Sequence, residues 1–514
     1  MSIRDWRGTV LLLAAALAAS AGGAVRAWGA ACPVPVADCN SNGLEDAFDP
    51  DCNSNGVPDA CEVLDDCNAD GVPDVCEPPA ARARTAATGL LDCLAGPGVM
   101  PPATARSGCA CEAFYDLDGD SDVDLADYAL MQRAQPVAAQ RWWNPHWPYR
   151  MPVTVGAAGY ARSDLPVEVA VDFSAALASL GASGAFDPAT LRVIEVDAGG
   201  AVLDERTVFQ FDAAPDYDAT SNAVGTLVVQ LAGVTPADAE RRFEVYFAKA
   251  GAGLPAACFD AEVNASDGVA HEGQDAVEIE TAIGTWYYQK VGAGFASLDD
   301  VDGQDWIGYH PGGGPNGEYR GIPNAGPFHP GYLECTSTLE SAGPLRARIR
   351  SVSTNGLWAC TWDVYPRFAT LTILQVAEPY WFLYEGTPYG ALDKDRDFVV
   401  RSDGTNTPVT QTWSGDIPAP EWLYFGDGAT ERMLYVAHHG DDDASDQFWQ
   451  MQGAMTVFGF GRQYPCCDTY LTAVPDRFTV GLAEVADYAA AVPLVDGVWR
   501  DVAVSVGAAE TLAP

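Results

Sequence analysis

The sequence is poor in positive charge. Its 514 residues carry 28 lysines and arginines against 71 aspartates and glutamates, a formal net charge of −43 at pH 7. A chain this acidic repels phosphate backbones and anionic lipid, which argues against nucleic acid and anionic membrane surfaces as partners. Lysine occurs only as Lys249, Lys290 and Lys394, and histidine six times. No C-x-x-C pair occurs, which argues against a structural zinc frame. A G-x-S-x-G elbow, an H-E-x-x-H helix, a P-loop and a dinucleotide fingerprint are all absent. Long apolar runs are missing too. Val10 to Ala19, behind Arg4 and Arg7, is too short to span a bilayer and reads as the core of a signal peptide over residues 1–31. Val25-Arg26-Ala27 and Gly29-Ala30-Ala31 both offer cleavage sites, and the small residues before Cys32 leave a lipoprotein anchor open. The mature chain is therefore expected to lack a transmembrane segment and to be secreted or held at the cell surface.

Cysteine, in contrast, is plentiful. In an exported chain, 14 cysteines imply disulfides, and nine of them lie between Cys32 and Cys111, where little apolar sequence is available for a core. Pairings such as Cys61–Cys67 fit the spacing, but the spacing does not fix the connectivity. The segment from Cys32 to Glu77 contains no Lys or Arg, so its carboxylates need a cation to neutralise them.

That segment repeats one pattern, D-C-N-x-[ND]-G. It occurs at Asp38-Cys39-Asn40-Ser41-Asn42-Gly43, at Asp51-Cys52-Asn53-Ser54-Asn55-Gly56 and at Asp66-Cys67-Asn68-Ala69-Asp70-Gly71. The second and third copies continue to Asp59-x-Cys61-Glu62 and Asp74-x-Cys76-Glu77, whereas Ala47 and Phe48 replace that frame in the first. Oxygen side chains at alternate positions, closed by a glycine turn, are a calcium-binding arrangement. The pattern over 38–77 resembles thrombospondin type 3 repeats. The resemblance implies calcium loops stapled by disulfides, with Asp38, Asn40, Asn42, Asp51, Asn53, Asn55, Asp59, Asp66, Asn68, Asp70 and Asp74 as ligands.

A second calcium pattern runs from Asp116 to Asp127. Asp116, Asp118, Asp120, Asp124 and Asp127 would supply side-chain oxygens and Asp122 its carbonyl, with Val123 packing inward. The following Leu125–Met131 has helical apolar spacing. The stretch resembles a dockerin repeat, which ends its EF-hand-like loop in Asp, although Ser121 stands where the turn glycine usually sits. The resemblance implies a cohesin-like partner. The companion half is reduced to Gly89-Leu90-Leu91-Asp92-Cys93-Leu94, with no acidic loop just before it. The module is assigned to 80–136 and the repeats to 32–79. Pro136–Arg141 reads as a linker.

From 141 to 260 the chain alternates like half-buried strands. Val167, Val169, Val171 and Phe173 share one face, Phe243, Val245 and Phe247 repeat the pattern, and Ala198-Gly199-Gly200 marks a hairpin turn. Only Ser174–Leu180 and Pro236–Arg241 read as helical. The opening Trp147-x-Tyr149-Arg150 followed by Val153-Thr154-Val155 resembles a domain of unknown function from bacterial surface proteins. Residues 261–514 stay strand-rich and become more aromatic, with Ala369–Val376 and Glu421–Phe425 as buried strands. The expected fold is thus mainly β: two β-sandwich-like domains preceded by small calcium-binding, disulfide-containing modules with one short EF-hand-like helix. A fusion of the two β regions into one unit stays open. The whole arrangement resembles large secreted proteins of planctomycete-type bacteria.

Candidate chemistry lies in the last region. Tyr309 to Tyr332 is a long polar Gly-Pro loop carrying His310, Arg320, Asn324 and His329. Arg or Asn could neutralise a uronate carboxylate while Tyr or His moves protons, as elimination across a sugar acid requires. The alternative is a surface loop with incidental polar residues. His438-His439 precedes Gly440-Asp441-Asp442-Asp443, which could serve an acid–base pair, a metal, or only a solvated turn. Arg462 is a further candidate for an anion contact. Glu385, flanked by aromatics, could be a general acid with Asp363 as the nearest second carboxylate, or a strand-edge glutamate paired with arginine. Eight aromatics, Trp381 among them, fill a core or line a sugar groove. The sequence reading is therefore an exported calcium-binding protein acting on extracellular polysaccharide, lyase-like or glycosidase-like, with Tyr309, His310, Arg320, His329 and His438 as catalytic candidates. The alternative is a non-catalytic adhesion or glycan-binding protein whose partner is a surface glycan.

Overall fold

The computed structural model describes residues 37–66, 73–76, 87–104, 110–133, 142–463, 468–485 and 487–512. The expected signal peptide over 1–31, Asn68, Asp70 and the expected linker over 136–141 lie outside the described residues. Two β-sandwiches dominate, as the alternation predicted. The first packs a sheet ordered Ala503–Val506, Tyr149–Gly156, Glu240–Lys249, Phe186–Val196, Val202–Asp204 against a sheet of Arg162–Asp172, Val224–Thr235 and Phe209–Ala213. Val167, Val169, Val171 and Phe173 face its core with Phe243, Val245 and Phe247. Phe173–Ser179 is helical, capped by the Asp172 carboxylate on Ala175 N. Pro236–Arg241 is not a helix: Ala239 N closes a turn on Pro236 O, and the strand Glu240–Lys249 begins there, its period-two pattern overriding the local helical composition.

The second sandwich stacks two nine-stranded antiparallel sheets. One runs from Trp413–Gly415 at one edge to Asn264–His271 at the other, with Gly321–Asn324 in the middle. The facing sheet runs from Cys335–Ala342 to Asn406–Pro408. Trp286, Phe295, Trp306, Trp362, Phe382, Phe425, Phe458 and Phe478 fill the space between them, each fully buried. Burying each such ring stabilises by about 2 kcal/mol or more.

The two sandwiches share structure. After the second sandwich, the helix Tyr488–Trp499 and the strands Ala503–Val506 and Glu510–Thr511 return to the first, where both strands pair with Tyr149–Gly156. Residues 503–511 therefore belong to the sheet of the region expected over 141–260. These short exposed strands carry no periodicity that could name their partner. The buried Arg162 guanidinium donates to the carbonyls of Gly497, Arg500 and Asp501 at the helix C-terminus, satisfying acceptors that the helix leaves free. Arg346, also buried, bridges Glu168 and Asp212 of the first sandwich.

The N-terminal modules have little core. Disulfides join Cys39–Cys61, Cys52–Cys76 and Cys93–Cys111. The Cys61–Cys67 pairing is thereby overturned: the cysteine closing one repeat reaches back to the repeat before it, which stacks successive loops. In the first repeat, Leu44 is buried with Trp147, Ile194, Val196 and Tyr246, and Asn144 Nδ2 donates to Phe48 O at 2.6 Å. Leu44 and the Phe48 carbonyl thus dock this segment onto the first sandwich. In the region expected over 80–136, Leu90, Cys93, Cys111, Tyr115, Val123 and Met131 form a small cluster.

Candidate functional site

The outer face of the sheet centred on Gly321–Asn324 carries a buried cluster of titratable groups. The strand Phe382–Gly386 turns Phe382 and Tyr384 into the core, so Leu383 and Glu385 face outward. Glu385 lies opposite Gly321 on the neighbouring strand. A Cβ on Gly321 would meet Pro330 Cγ at 2.4 Å and His329 Nε2 at 3.1 Å. Gly292 and Gly294 make the same allowance, since a Cβ there would meet His329 O at 2.5 Å and Pro330 Cδ at 2.6 Å. Three glycines therefore let the segment 329–331 lie directly on the sheet. His329 N donates to Gly292 O at 2.8 Å and Gly331 N to Gln289 Oε1 at 2.8 Å, fixing it there.

This seating brings His329 Nε2 to 3.7 Å from Glu385 Oε2. Asn324 Nδ2 donates to the same carboxylate oxygen at 2.8 Å. Both groups are buried, His329 at 3% and Glu385 at 4% exposure. Burial pushes the Glu385 carboxyl up to about 7, against smaller opposing effects of Asn324 and Arg462. Burial also pushes His329 down to about 4, although the backbone at Tyr319 and Pro330 favours its protonated form slightly. Neither ring nitrogen of His329 has a partner at hydrogen-bond geometry. Near neutral pH the imidazole is thus a free base beside a carboxyl close to half-ionisation.

Arg462 completes the cluster. Its guanidinium lies 3.8 Å over the Trp449 ring and 4.8 Å from that of Trp381. Burial lowers it to about 10, Glu385 opposes that shift, and its Nε is buried without a partner. Tyr332 sits 4.9 Å from the His329 ring and Tyr309 6.4 Å away. Asp363 is elsewhere, on the facing sheet, held by Arg348 at 2.6 and 2.8 Å.

The other sequence candidates, Tyr309 apart, fall outside this cluster. His310 is exposed, its ring over Gly317. Arg320 is tied to main chain through two of its nitrogens, Nε donating to Pro315 O at 3.2 Å and Nη2 to Ala454 O at 3.0 Å. Tyr309 packs its ring on Gly331 beside His329. His438 lies inside the sandwich, Nδ1 at 2.6 Å from Glu421 and Nε2 at 3.0 Å from Asp476. Burial alone would lower it, but these two carboxylates push it up to about 10. His439 points the other way, bonds Thr479 Oγ1 at 2.8 Å, and is lowered to about 3 by burial. Trp449 was not singled out from sequence; its alternation with buried Phe448 is the signal that could have found it.

In the N-terminal loops, Asp38 and Asp51 act alike. Their Oδ1 atoms accept Asn42 N and Asn55 N at 3.1 Å, and their Oδ2 atoms accept Gly43 N at 3.1 Å and Gly56 N at 2.8 Å. Asn40 and Asn53 accept from the same asparagine amides. Asp116 accepts Gly119 N at 2.7 Å and Ser121 N at 2.8 Å. Ser121 itself adopts a φ of 72°, the left-handed turn that Gly43 and Gly56 make in the repeats. Carboxylate oxygens of Asp116, Asp118 and Asp127 lie within 4.8 Å of one another, as do those of Asp122, Asp124 and Asp127, so the loop could hold a metal ion. Two observations fit a cation. Asp122 Oδ1 is buried without a partner, and Asp118 is raised by desolvation and then by Asp120, Asp127 and Asp116. The groups Cys39–Asp46–Cys61 and Cys52–Asp59–Cys76 are not thiolate sites, because their sulfurs form disulfides. Asp66 and Asp74 of the third repeat are described, while Asn68 and Asp70 are not. Among the described residues no helix is long and apolar enough to cross a membrane.

No protein-family model matches the sequence. No curated protein matches it. Among solved structures, an alpha-mannosidase from Enterococcus faecalis V583 is similar over 75% of this chain at 12% identity and a TM-score of 0.40, and this chain spans 49% of that one. A protein designated HI1317 is similar over 44% of this chain and 98% of its own, at 13% identity and a TM-score of 0.30. At such TM-scores neither likeness bears on what this chain does.

Proposed function

We propose that this is an exported, calcium-loaded protein that acts on extracellular polysaccharide by acid–base proton transfer, with Glu385 and His329 as the proton-moving couple. The observation that carries this reading is the 3.7 Å contact between two buried groups displaced in opposite directions, Glu385 to about 7 and His329 to about 4. Groups whose environments drive their protonation apart are the mark of paired acid and base roles. The chemistry fits elimination at a uronic acid better than hydrolysis, which needs two carboxylates. One member of the couple takes the proton next to the sugar carboxylate. The bond to the leaving oxygen breaks as a ring double bond forms, and the other member returns a proton to that oxygen. Arg462 and Asn324 would hold the sugar carboxylate and the charge that grows on it.

A glycan panel assayed for both unsaturated ends and binding tests this. Glu385→Gln and His329→Ala should each lower turnover by about a hundredfold or more with the fold intact. Full turnover in both variants sinks the proposal. A second reading, non-catalytic glycan binding, is favoured by the deep burial of the couple and by the partly exposed Trp381, Trp449 and Tyr332 beside it; binding without turnover on every glycan would establish it.

Calcium belongs to the same proposal. Asp116, Asp118, Asp120, Asp124 and Asp127, and in the repeats Asp38, Asn40, Asn42, Asp51, Asn53, Asn55 and Asp59, would hold calcium ions, whose charge neutralises loops that have no cationic side chain. Chelation should unfold the N-terminal modules and leave the sandwiches folded, because only the latter bury an apolar core of their own. Identical calorimetric transitions with and without chelator would refute it.

A further inference from the structure

A second cluster lies at the end of the second sandwich, apart from the acid–base site. Glu421 precedes the strand Trp422–Asp427, His438 ends the adjacent strand Arg432–His438, and Asp442 stands on the loop that follows. His438 Nδ1, a Glu421 oxygen and an Asp442 oxygen all lie within 4.8 Å of one another. The arrangement is held from several directions. Asp442 N donates to Glu421 Oε1 at 2.8 Å, His438 N to Glu421 O at 2.9 Å, and Trp499 Nε1 to His438 O at 2.6 Å. Gly440 is required beneath the ring, since a Cβ there would meet His438 Nε2 at 2.7 Å.

On the far side of the ring, His438 Nε2 is 3.0 Å from Asp476 Oδ1, and the Tyr380 hydroxyl donates to Asp476 Oδ2 at 2.7 Å. A histidine that ligates a metal through one nitrogen almost always has the other held by such a carboxylate, which fixes the ring and strengthens the donor. Here that hold is already built, and it aims Nδ1 at Glu421 and Asp442. Three carboxylates, those of Glu421, Asp442 and Asp476, surround this one imidazole. Asp442 is 36% exposed and gives an ion a way in from solvent.

We propose that Glu421, His438 and Asp442 form a divalent-cation site of zinc-like chemistry, with Asp476 positioning the imidazole. A nitrogen donor beside two carboxylates suits zinc and its borderline neighbours better than calcium, which takes oxygen ligands. The ion takes the place of the proton that His438 Nδ1 shares with Glu421, and water fills the open positions toward the Asp442 side.

The test is zinc chloride titrated into the full chain by calorimetry in excess calcium, which keeps the N-terminal loops saturated, with cobalt absorption as a second readout. One equivalent of zinc should bind. Asp442→Asn, a partly exposed and conservative change, should weaken it at least about tenfold, and Glu421→Gln should abolish it. Asp116→Ala, in the calcium loop, should leave it unchanged. No zinc bound above the calcium background overturns the site. So does uptake that is unchanged in both Asp442→Asn and Glu421→Gln while circular dichroism reports a native fold.

Discussion

Two regions of the second sandwich each bury a histidine against a glutamate, and the protein treats them in opposite ways. At the outer face of one sheet, His329 faces Glu385 across 3.7 Å. Glu385 is shared with Asn324 and Arg462, so desolvation prevails and the imidazole falls to about 4. Between the sheets, His438 meets Glu421 at 2.6 Å and Asp476 at 3.0 Å, and the two carboxylates outweigh the same desolvation, lifting it to about 10. Burial is common to both. The number and closeness of carboxylates decide whether the ring's protonation is disfavoured, as at His329, or favoured, as at His438.

The largest effect expected from breaking this contrast is at His438. His438→Ala would leave Glu421 and Asp476 facing each other without a cation, and should cost roughly 3–5 kcal/mol of stability; a denaturant melt within about 1 kcal/mol of wild type would show that the cluster is not an essential ion pair. Next comes the swap at the other region. His329→Ala should be far milder in the same melt, because it removes an uncharged ring with no hydrogen-bond partner, while it lowers turnover about a hundredfold. Equal stability losses in the two variants would erase the distinction.

The pH dependence of stability sharpens it further. Glu385 binds its proton more tightly in the folded chain, about 7 against an ordinary 4.5, so its carboxyl stabilises the fold below pH 4.5 and that contribution is lost as pH rises through 7. Glu385→Gln should therefore gain stability relative to wild type between pH 4.5 and 7. His329 is displaced the other way, from 6.5 to about 4, so its contribution is full above pH 6.5 and lost as pH falls through 4. His329→Gln should gain relative to wild type over that acid window. Thermal melts at pH 4, 6 and 8 read both signs, and a reversed sign at either residue contradicts its assigned environment. The smallest effect is expected at Trp381. Trp381→Ala removes one of the two rings flanking Arg462, worth ~1 kcal/mol, or about fivefold in KM with little change in kcat. A loss in kcat alone would place Trp381 in the chemistry rather than in holding the arginine.

Legibility in the sequence followed the range of the interactions. Val167–Phe173 and Phe243–Phe247 announced their strands by alternation, and the Asp-x-Asn-x-Asn-Gly turns announced their loops, because the partners of Asp38 and Asp51 lie within a few residues of them. The strand Gly321–Asn324 was hidden. It reads Gly-Ile-Pro-Asn, has only Ile322 paired on one side and Gly321 and Asn324 on the other, and lay inside what looked like one long loop. Glu385, Arg462 and His329 were each visible as unusual residues, but Arg320 looked as good a cation as Arg462 until its bonds to Pro315 and Ala454 carbonyls were seen.

By itself the sequence determined the mainly β composition, the acidic loops and their turns, and the cysteine-rich start, since each is set by the chain within a turn or a strand length. The tertiary structure alone decided which cysteines pair, that the last strands return to the first sandwich, and that Asn324, His329, Glu385 and Arg462 meet on one face. Those outcomes depend on strand order and register between distant segments, and local periodicity tells a strand which face is buried but not which neighbour it will have.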